Sequence, residues 1–207
     1  EPLFEEALEI RKKVLGEDHP DFASSLYNLA LLNRINGKLL KADSMIQRVI
    51  AIRKKLLGIN HPDYAAAISG LGFTRSLRGL HQEAEQLYLQ ALEIRKNSLG
   101  VKSPDYSSTL FDLAKLYSIT GQHDKSGAFA MLNCTAYLEK VGRSFAIFSE
   151  SEKRAYLENN SDILRVNHSF LFSHRDHSPA YYLNIYNLQL SLNSMVLSDS
   201  KNLLNQI

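Results

Sequence analysis

The chain has 207 residues, 44% of them apolar, and its 24 basic and 22 acidic side chains nearly cancel to a formal net charge of +2. That balance excludes the concentrated basic excess of a dedicated nucleic-acid binder. No apolar run reaches the ~18 residues of a membrane span, and no signal peptide opens the chain. The single cysteine, Cys134, excludes an internal disulfide and fits a reducing, cytoplasmic setting.

The first predicted element carries Leu3, Phe4, Ala7, Leu8 and Ile10, spaced as one face of a helix. It ends at Leu15-Gly16, which opens the pattern Leu-Gly-x-x-x-Pro-Asp. The pattern occurs three times at an interval of 42 residues, with glycines at Gly16, Gly58 and Gly100 and prolines at Pro20, Pro62 and Pro104. Each proline is followed by an aspartate (Asp21, Asp63, Asp105) and then an aromatic (Phe22, Tyr64, Tyr106). Gly37, Gly79 and Gly121 keep the same interval. A period of this size means stacked small units, which serve mainly as binding surfaces.

Each unit reads as two helices. Proline suits the first position of a helix because its missing N–H would be unpaired there anyway. The aspartate then meets the positive end of the helix dipole. His19, His61 and Ser103 stand at the N-cap position. The first helix of each unit has an apolar stripe: Leu26, Leu29, Ala30; Ile68, Leu71, Gly72; Leu110, Leu113, Ala114. Gly37, Gly79 and Gly121 end it in a left-handed C′ conformation. The second helix carries Ala42, Met45, Ile46, Val49, Ile52 and Leu56 in one copy, and Ala84, Leu87, Tyr88, Ala91 and Ile94 in the next. The opening segment has the same spacing and is predicted to be the second helix of an incomplete repeat. The copy at 122–140 is looser, with Ser126 in place of Ala42 and Ala84, and Gly127 inside the helix.

Small residues at Ala30, Gly72 and Ala114, and again at Ala42 and Ala84, alternate with large apolar ones. In this the chain resembles a tetratricopeptide repeat protein, whose usual period is about 34 residues. The longer period, with Ala-Leu-Glu-Ile-Arg-Lys-Lys-Val-Leu-Gly-Glu-Asp-His-Pro-Asp at 7–21 and Tyr-Asn-Leu-Ala-Leu-Leu at 27–32, is similar to the kinesin-light-chain subtype. The resemblance implies an all-α, right-handed superhelical solenoid of about three and a half repeats over residues 1–140. A helical segment over 141–207 would follow.

That last third does not repeat. Ser149-x-x-Glu152 predicts a capping box and a helix start. Ile163 to Phe172 is a second apolar stretch, and Ser178-Pro179 opens a long helix that would cap the last repeat. The motifs near 145–157 and 186–197 resemble the segment joining repeats to the caspase-like domain of bacterial TPR–CHAT proteins. The chain starts inside one pattern and ends inside another, which predicts a fragment whose ends contact a downstream domain or a symmetry mate.

Candidate chemistry is sparse. Cys134 lies mid-helix among apolar neighbours and reads as packing. His168, His174, His177 and Asp176 form the one histidine cluster, with spacing that matches no zinc site. The runs Arg11-Lys12-Lys13, Arg53-Lys54-Lys55 and Arg95-Lys96 lie near helix C-termini, where cations complement the dipole. Gly72 is explained by close packing, whereas Gly70 is expected to leave a shallow spot.

The tetratricopeptide resemblance implies that first helices line a concave groove. Its predicted residues are Ser24, Tyr27, Asn28, Leu31 and Arg34; Ala66, Ser69, Phe73 and Ser76; and Ser108, Phe111, Asp112 and Lys115. The kinesin-light-chain groove uses a ladder of asparagines, of which Asn28 matches while Gly70 and Asp112 replace the others. The groove would hold a protein or peptide, or be filled by the chain's own C-terminal segment. No cofactor, metal, nucleic acid or membrane is expected as a ligand. The resulting expectation is a non-catalytic scaffold or regulatory region. The alternatives are the sensor half of a TPR–CHAT peptidase and an adaptor that oligomerises through its ends.

Overall fold

A computed structural model describes residues 2–145, with side chains for 3–136, and beyond them 148–149, 151–153, 155, 183 and 187. Among the described residues there are seven helices and no strand: α1 (Pro2–Leu15), α2 (Pro20–Ile35), α3 (Leu39–Leu57), α4 (Pro62–Leu77), α5 (His81–Leu99), α6 (Pro104–Ile119) and α7 (His123–Phe145). The chain divides into two compact units, Glu1–Asp112 and Leu113–Ile207, and the boundary falls inside α6.

Helix starts follow the expected chemistry. Proline stands first in α2, α4 and α6. Nδ1 of His19 accepts from the Asp21 N–H at 3.2 Å, Nδ1 of His61 from the Asp63 N–H at 3.1 Å, and Oγ of Ser103 from the Asp105 N–H at 3.2 Å. Helix ends use glycine in two ways. After α2, the Lys38 N–H donates to the Asn33 carbonyl and the Gly37 N–H to the Arg34 carbonyl, a Schellman turn that needs the positive φ of Gly37. After α3, Gly58 combines φ 82° with ψ 170°. That is not the left-handed helical region expected of a C′ glycine but a region essentially closed to other residues.

In the first unit each helix packs on the next. Phe22, Ala23 and Leu26 of α2 meet Val49 and Ile52 of α3 and Ala67 of α4. Ala30, Ile46 and Leu71 form a second cluster, and Tyr64, Ala65, Ile68 and Ala91 a third. Small residues permit the closeness. A Cβ on Gly72 would stand 3.2 Å from the Tyr88 ring and 3.3 Å from Leu87 Cβ. In the second unit Ser126 takes the small position, buried, and its hydroxyl donates to the Ala114 carbonyl at 2.8 Å. The rings of Tyr117 and Phe129 stack 5.3 Å apart.

Expected core positions at the end of α3 and along α1, Ala7 among them, are exposed. Leu56 is exposed at the end of α3. On α1, Leu3, Phe4 and Ile10 are exposed and only Leu8 packs on a core cluster. The same stripe on α3 is buried because α2 and α4 flank it, whereas the main packing partner of α1 among the described helices is α2. Ser149 and Glu152 make the reciprocal capping-box bonds: the Ser149 N–H donates to Glu152 Oε2 at 2.8 Å and the Glu152 N–H to Ser149 Oγ at 3.4 Å. The expected helix from Ser178 and its docking on the last repeat lie outside the described residues.

Candidate binding surface

The predicted groove residues sit on α2, α4 and α6, and the first two helices bring several of them together. Tyr27 Oη donates to the Ala66 carbonyl at 3.2 Å. Arg34 lays its guanidinium 4.6 Å from the centre of the Phe73 ring and donates to the Gly70 carbonyl at 3.4 Å. Tyr27, Arg34, Ala66 and Phe73 thus form one contact cluster across two repeats. Asn28 lies beside it, exposed, and its amide makes no hydrogen bond among the described residues. Leu31 and Ser76 are half-buried, whereas Ser69 is buried and belongs to the floor. Ser24 is exposed but donates back to the Pro20 carbonyl at 3.0 Å.

The expectation of a shallow spot at Gly70 is overturned. The Tyr27 side chain fills it: a Cβ at position 70 would overlap Tyr27 Oη and stand 3.1 Å from Cε2 and Cζ. Gly70 is the hole into which Tyr27 fits. The two residues are 43 apart in sequence, so no local pattern announces the pairing.

On α6, Ser108 is exposed, and Phe111 and Asp112 are half-buried. Asp112 lies within electrostatic reach of Tyr88 and Arg95. No described contact joins Ser108 to the Tyr27–Phe73 cluster. Lys115 is half-buried on the part of α6 that belongs to the second unit.

The arginines of the basic runs do more than complement helix dipoles. Each reaches the first turn of the following helix. Arg11 donates to the Asp21 carbonyl at 3.4 Å and to Ser25 Oγ; Arg53 donates to the Asp63 carbonyl at 2.7 Å. Arg95 donates to the Asp105 carbonyl at 3.0 Å and to Thr109 Oγ1 at 2.5 Å. Ala67 stands where Ser25 and Thr109 supply a hydroxyl, and Arg53 lies instead over the Tyr27 ring, 5.1 Å from its centre. Sequence reasoning missed this clamp. The signal available was faint: positions 11, 53 and 95 are always arginine, but positions 12, 54 and 96 are just as uniformly lysine.

The surface around Tyr27 is cationic. Burial pushes the Tyr27 phenol up, and Arg34, Arg53 and Arg95 pull it back down. Arg95 is only 6% exposed, and its Nε has no hydrogen-bond partner. Burial lowers its pKa, opposed by Asp105, Tyr27 and Asp112. Elsewhere, burial pushes the Cys134 thiol up to about 12, so it is held as the unreactive thiol. Among the described residues no group of three or more His, Cys, Asp or Glu could hold a metal ion, and no helix is long and apolar enough to cross a membrane. The histidine cluster at 168–177 lies outside them.

Three overlapping stretches, 1–55, 21–97 and 63–129, match the tetratricopeptide repeat. The chain belongs to the tetratricopeptide repeat family. Its fold is accordingly the all-α tetratricopeptide solenoid, and solved structures of the same fold agree. Kinesin light chain-like, nearly identical TPR-like repeats from Podosopora anserina are 21% identical, with a TM-score of 0.66, over 94% of this chain and 84% of that one. A point variant of that protein gives 20% identity and a TM-score of 0.67, over 97% and 86%. BtubC (BKLC) from P. vanneervenii gives 18% and 0.65, over 93% and 72%. No curated protein matches the chain. No comparison supports the TPR–CHAT link that the segments near 145–157 and 186–197 suggested.

Proposed function

We propose that the chain is a non-catalytic protein-interaction scaffold that holds a peptide segment against the face formed by its first helices. The observation that carries this reading is the free amide of Asn28 beside the Tyr27–Arg34–Phe73 cluster. An exposed amide can both donate to and accept from a peptide backbone. The cluster beside it is already ordered by its own contacts, so a ligand loses less to side-chain immobilisation on binding. Arg34 and Arg53 give the face a positive field, which favours segments carrying carboxylates.

Membership of the tetratricopeptide family supports the scaffold role at the level of the class. The test is a binding measurement with Asn28→Ala and Phe73→Ala. Each is expected to weaken a bound peptide, Asn28→Ala by about 1–3 kcal/mol for the lost hydrogen bond, while helicity stays unchanged. A peptide whose affinity ignores both substitutions refutes the assignment.

A further inference from the structure

Two guanidinium groups flank the Tyr27 side chain. Arg53 stands over its ring, 5.1 Å from the centre, and Arg34 meets the Gly70 carbonyl at 3.4 Å, beside the hole that Tyr27 Oη occupies. Both arginines are half-buried, and neither uses all its donors. Arg53 gives one N–H to the Asp63 carbonyl, because Ala67 withholds the hydroxyl that Ser25 and Thr109 offer to Arg11 and Arg95. Arg34 gives one N–H to Gly70 and otherwise lies over the Phe73 ring. A guanidinium carries five N–H donors, so each keeps several for a ligand.

Among the described residues no carboxylate answers this pair. The charges that act on the Tyr27 phenol are Arg34, Arg53 and Arg95. The Asp63 carboxylate turns to His61 at 3.9 Å, and Asp112 acts on Tyr88 and Arg95. The arrangement also belongs to one place in the array. Later copies hold Ser69 and Phe111 at the position of Tyr27, and Ser76 and Ser118 at the position of Arg34. A feature required by the solenoid would recur with the 42-residue period, as the prolines and glycines do.

We propose that Arg34 and Arg53 bind the phosphoryl group of a phosphorylated residue in the partner segment, so that phosphorylation of the partner switches binding on. The inference rests on the peptide-scaffold reading above. A carboxylate carries one charge and is satisfied by a single guanidinium fork. A phosphorylated side chain carries about −1.5 to −2 charge at pH 7 and three acceptor oxygens. That matches two guanidiniums with donors to spare, and arginine clusters are a recurring means of reading phosphorylated segments. The free Asn28 amide, next to Tyr27 in sequence, is left for the backbone of the segment.

The test uses the full chain and short fluorescent peptide sets, random except for a central phosphoserine, glutamate or serine, read by anisotropy. The phosphoserine set is expected to bind about tenfold more tightly than the serine set, and more tightly than the glutamate set. Arg34→Gln and Arg53→Gln should each lower that preference. Arg11→Gln, which removes a clamp of the same kind elsewhere, should leave it intact. Circular dichroism should show the variants folded; Arg34→Gln, which breaks only a long hydrogen bond, carries the test should Arg53→Gln unfold. Equal binding of the phosphoserine set and either other set overturns the proposal. So does a preference that survives Arg34→Gln with Arg53→Gln, or one that falls only with Arg11→Gln. A short oligothymidylate that binds better than every peptide set and needs Arg53 also overturns it. The two readings fail separately. Serine-set binding that depends on Asn28 and Phe73 but ignores the phosphoryl group removes this inference alone, whereas no binding of any set removes both.

Discussion

Tyr27 and Gly70 occupy one space, and the pairing sets opposing effects against each other at a single position. Alanine inside a helix is favoured over glycine by about 1 kcal/mol. Here the added methyl must expel the Tyr27 ring and break its bond to the Ala66 carbonyl, a loss of about 1 kcal/mol before any repacking strain. Gly70→Ala should therefore leave stability little changed or lower, but should stabilise the protein by about 1 kcal/mol when Tyr27 is also alanine. Urea unfolding of the four proteins in that cycle checks the coupling; additive effects would show that the contact is dispensable. Cys134 offers a second residue-level test. Its thiol has an ordinary value of 9.0 and is pushed up to about 12 by burial, so the folded chain resists forming the thiolate. The unfolded chain ionises first. Its contribution to stability is intact below pH about 9 and declines as pH rises from there toward about 12. Melting temperatures should fall less steeply over that range in Cys134→Ala, and a thiol reagent should label the native protein only after unfolding.

At the scale of the helix, each arginine clamp ties the end of one helix to the start of the next. The three are unequal. Arg95 is buried and holds a carbonyl and a hydroxyl, whereas Arg53 is half-buried and holds one carbonyl. Arg95→Ala should cost about 2–3 kcal/mol, because acceptors inside the fold lose a charged donor. Arg53→Ala should cost less. Arg95→Lys should restore part of the loss, since a single nitrogen, Nη1, makes both bonds and an ammonium also carries several donors on one nitrogen. Denaturant titrations of the three variants give the ranking, and equal costs for Arg53 and Arg95 would contradict it. Glu17 secures the loop between α1 and α2. Hydrogen bonds from Arg48 and Lys12 hold its carboxyl down, to about 2 from an ordinary 4.5. The bridge is intact above pH about 4.5 and is lost as pH falls toward about 2. A carboxyl resonance titrating near 4 in the wild type would exclude it, and Arg48→Ala should raise the midpoint.

At the scale of the array, stability is a sum of units and their nearest-neighbour interfaces. In the first unit the side chains of Ile46 and Leu71 share a cluster that joins α2, α3 and α4. Ile46→Ala removes a fully buried side chain and should cost about 2–5 kcal/mol. Hydrogen exchange should rise most in α2, α3 and α4 and less in α5. Uniform acceleration along the first unit would mean that it unfolds as one cooperative block. The tetratricopeptide architecture, the helix limits and the buried small positions were all legible in advance. Each depends on short-range rules repeated in register: proline at the first helical turn, glycine at its end, and small residues at the crossing. The binding face was legible only as a set of positions. The Tyr27–Gly70 fit and the Arg34–Phe73 stack join residues 43 and 39 apart, which local patterns do not relate.

What the sequence alone determined is the periodic part of this protein. A 42-residue register of Pro-Asp starts, glycine stops and small crossing residues admits stacked helix pairs and little else, because backbone hydrogen bonding and close packing act the same way in each copy. Tertiary structure decided what differs between copies: that Gly70 receives a tyrosine, and that Arg95 is buried while Arg53 lies over a ring. Those contacts arise between neighbouring repeats. Their energies depend on which side chains stacking brings together, so they are set only once the helices have packed.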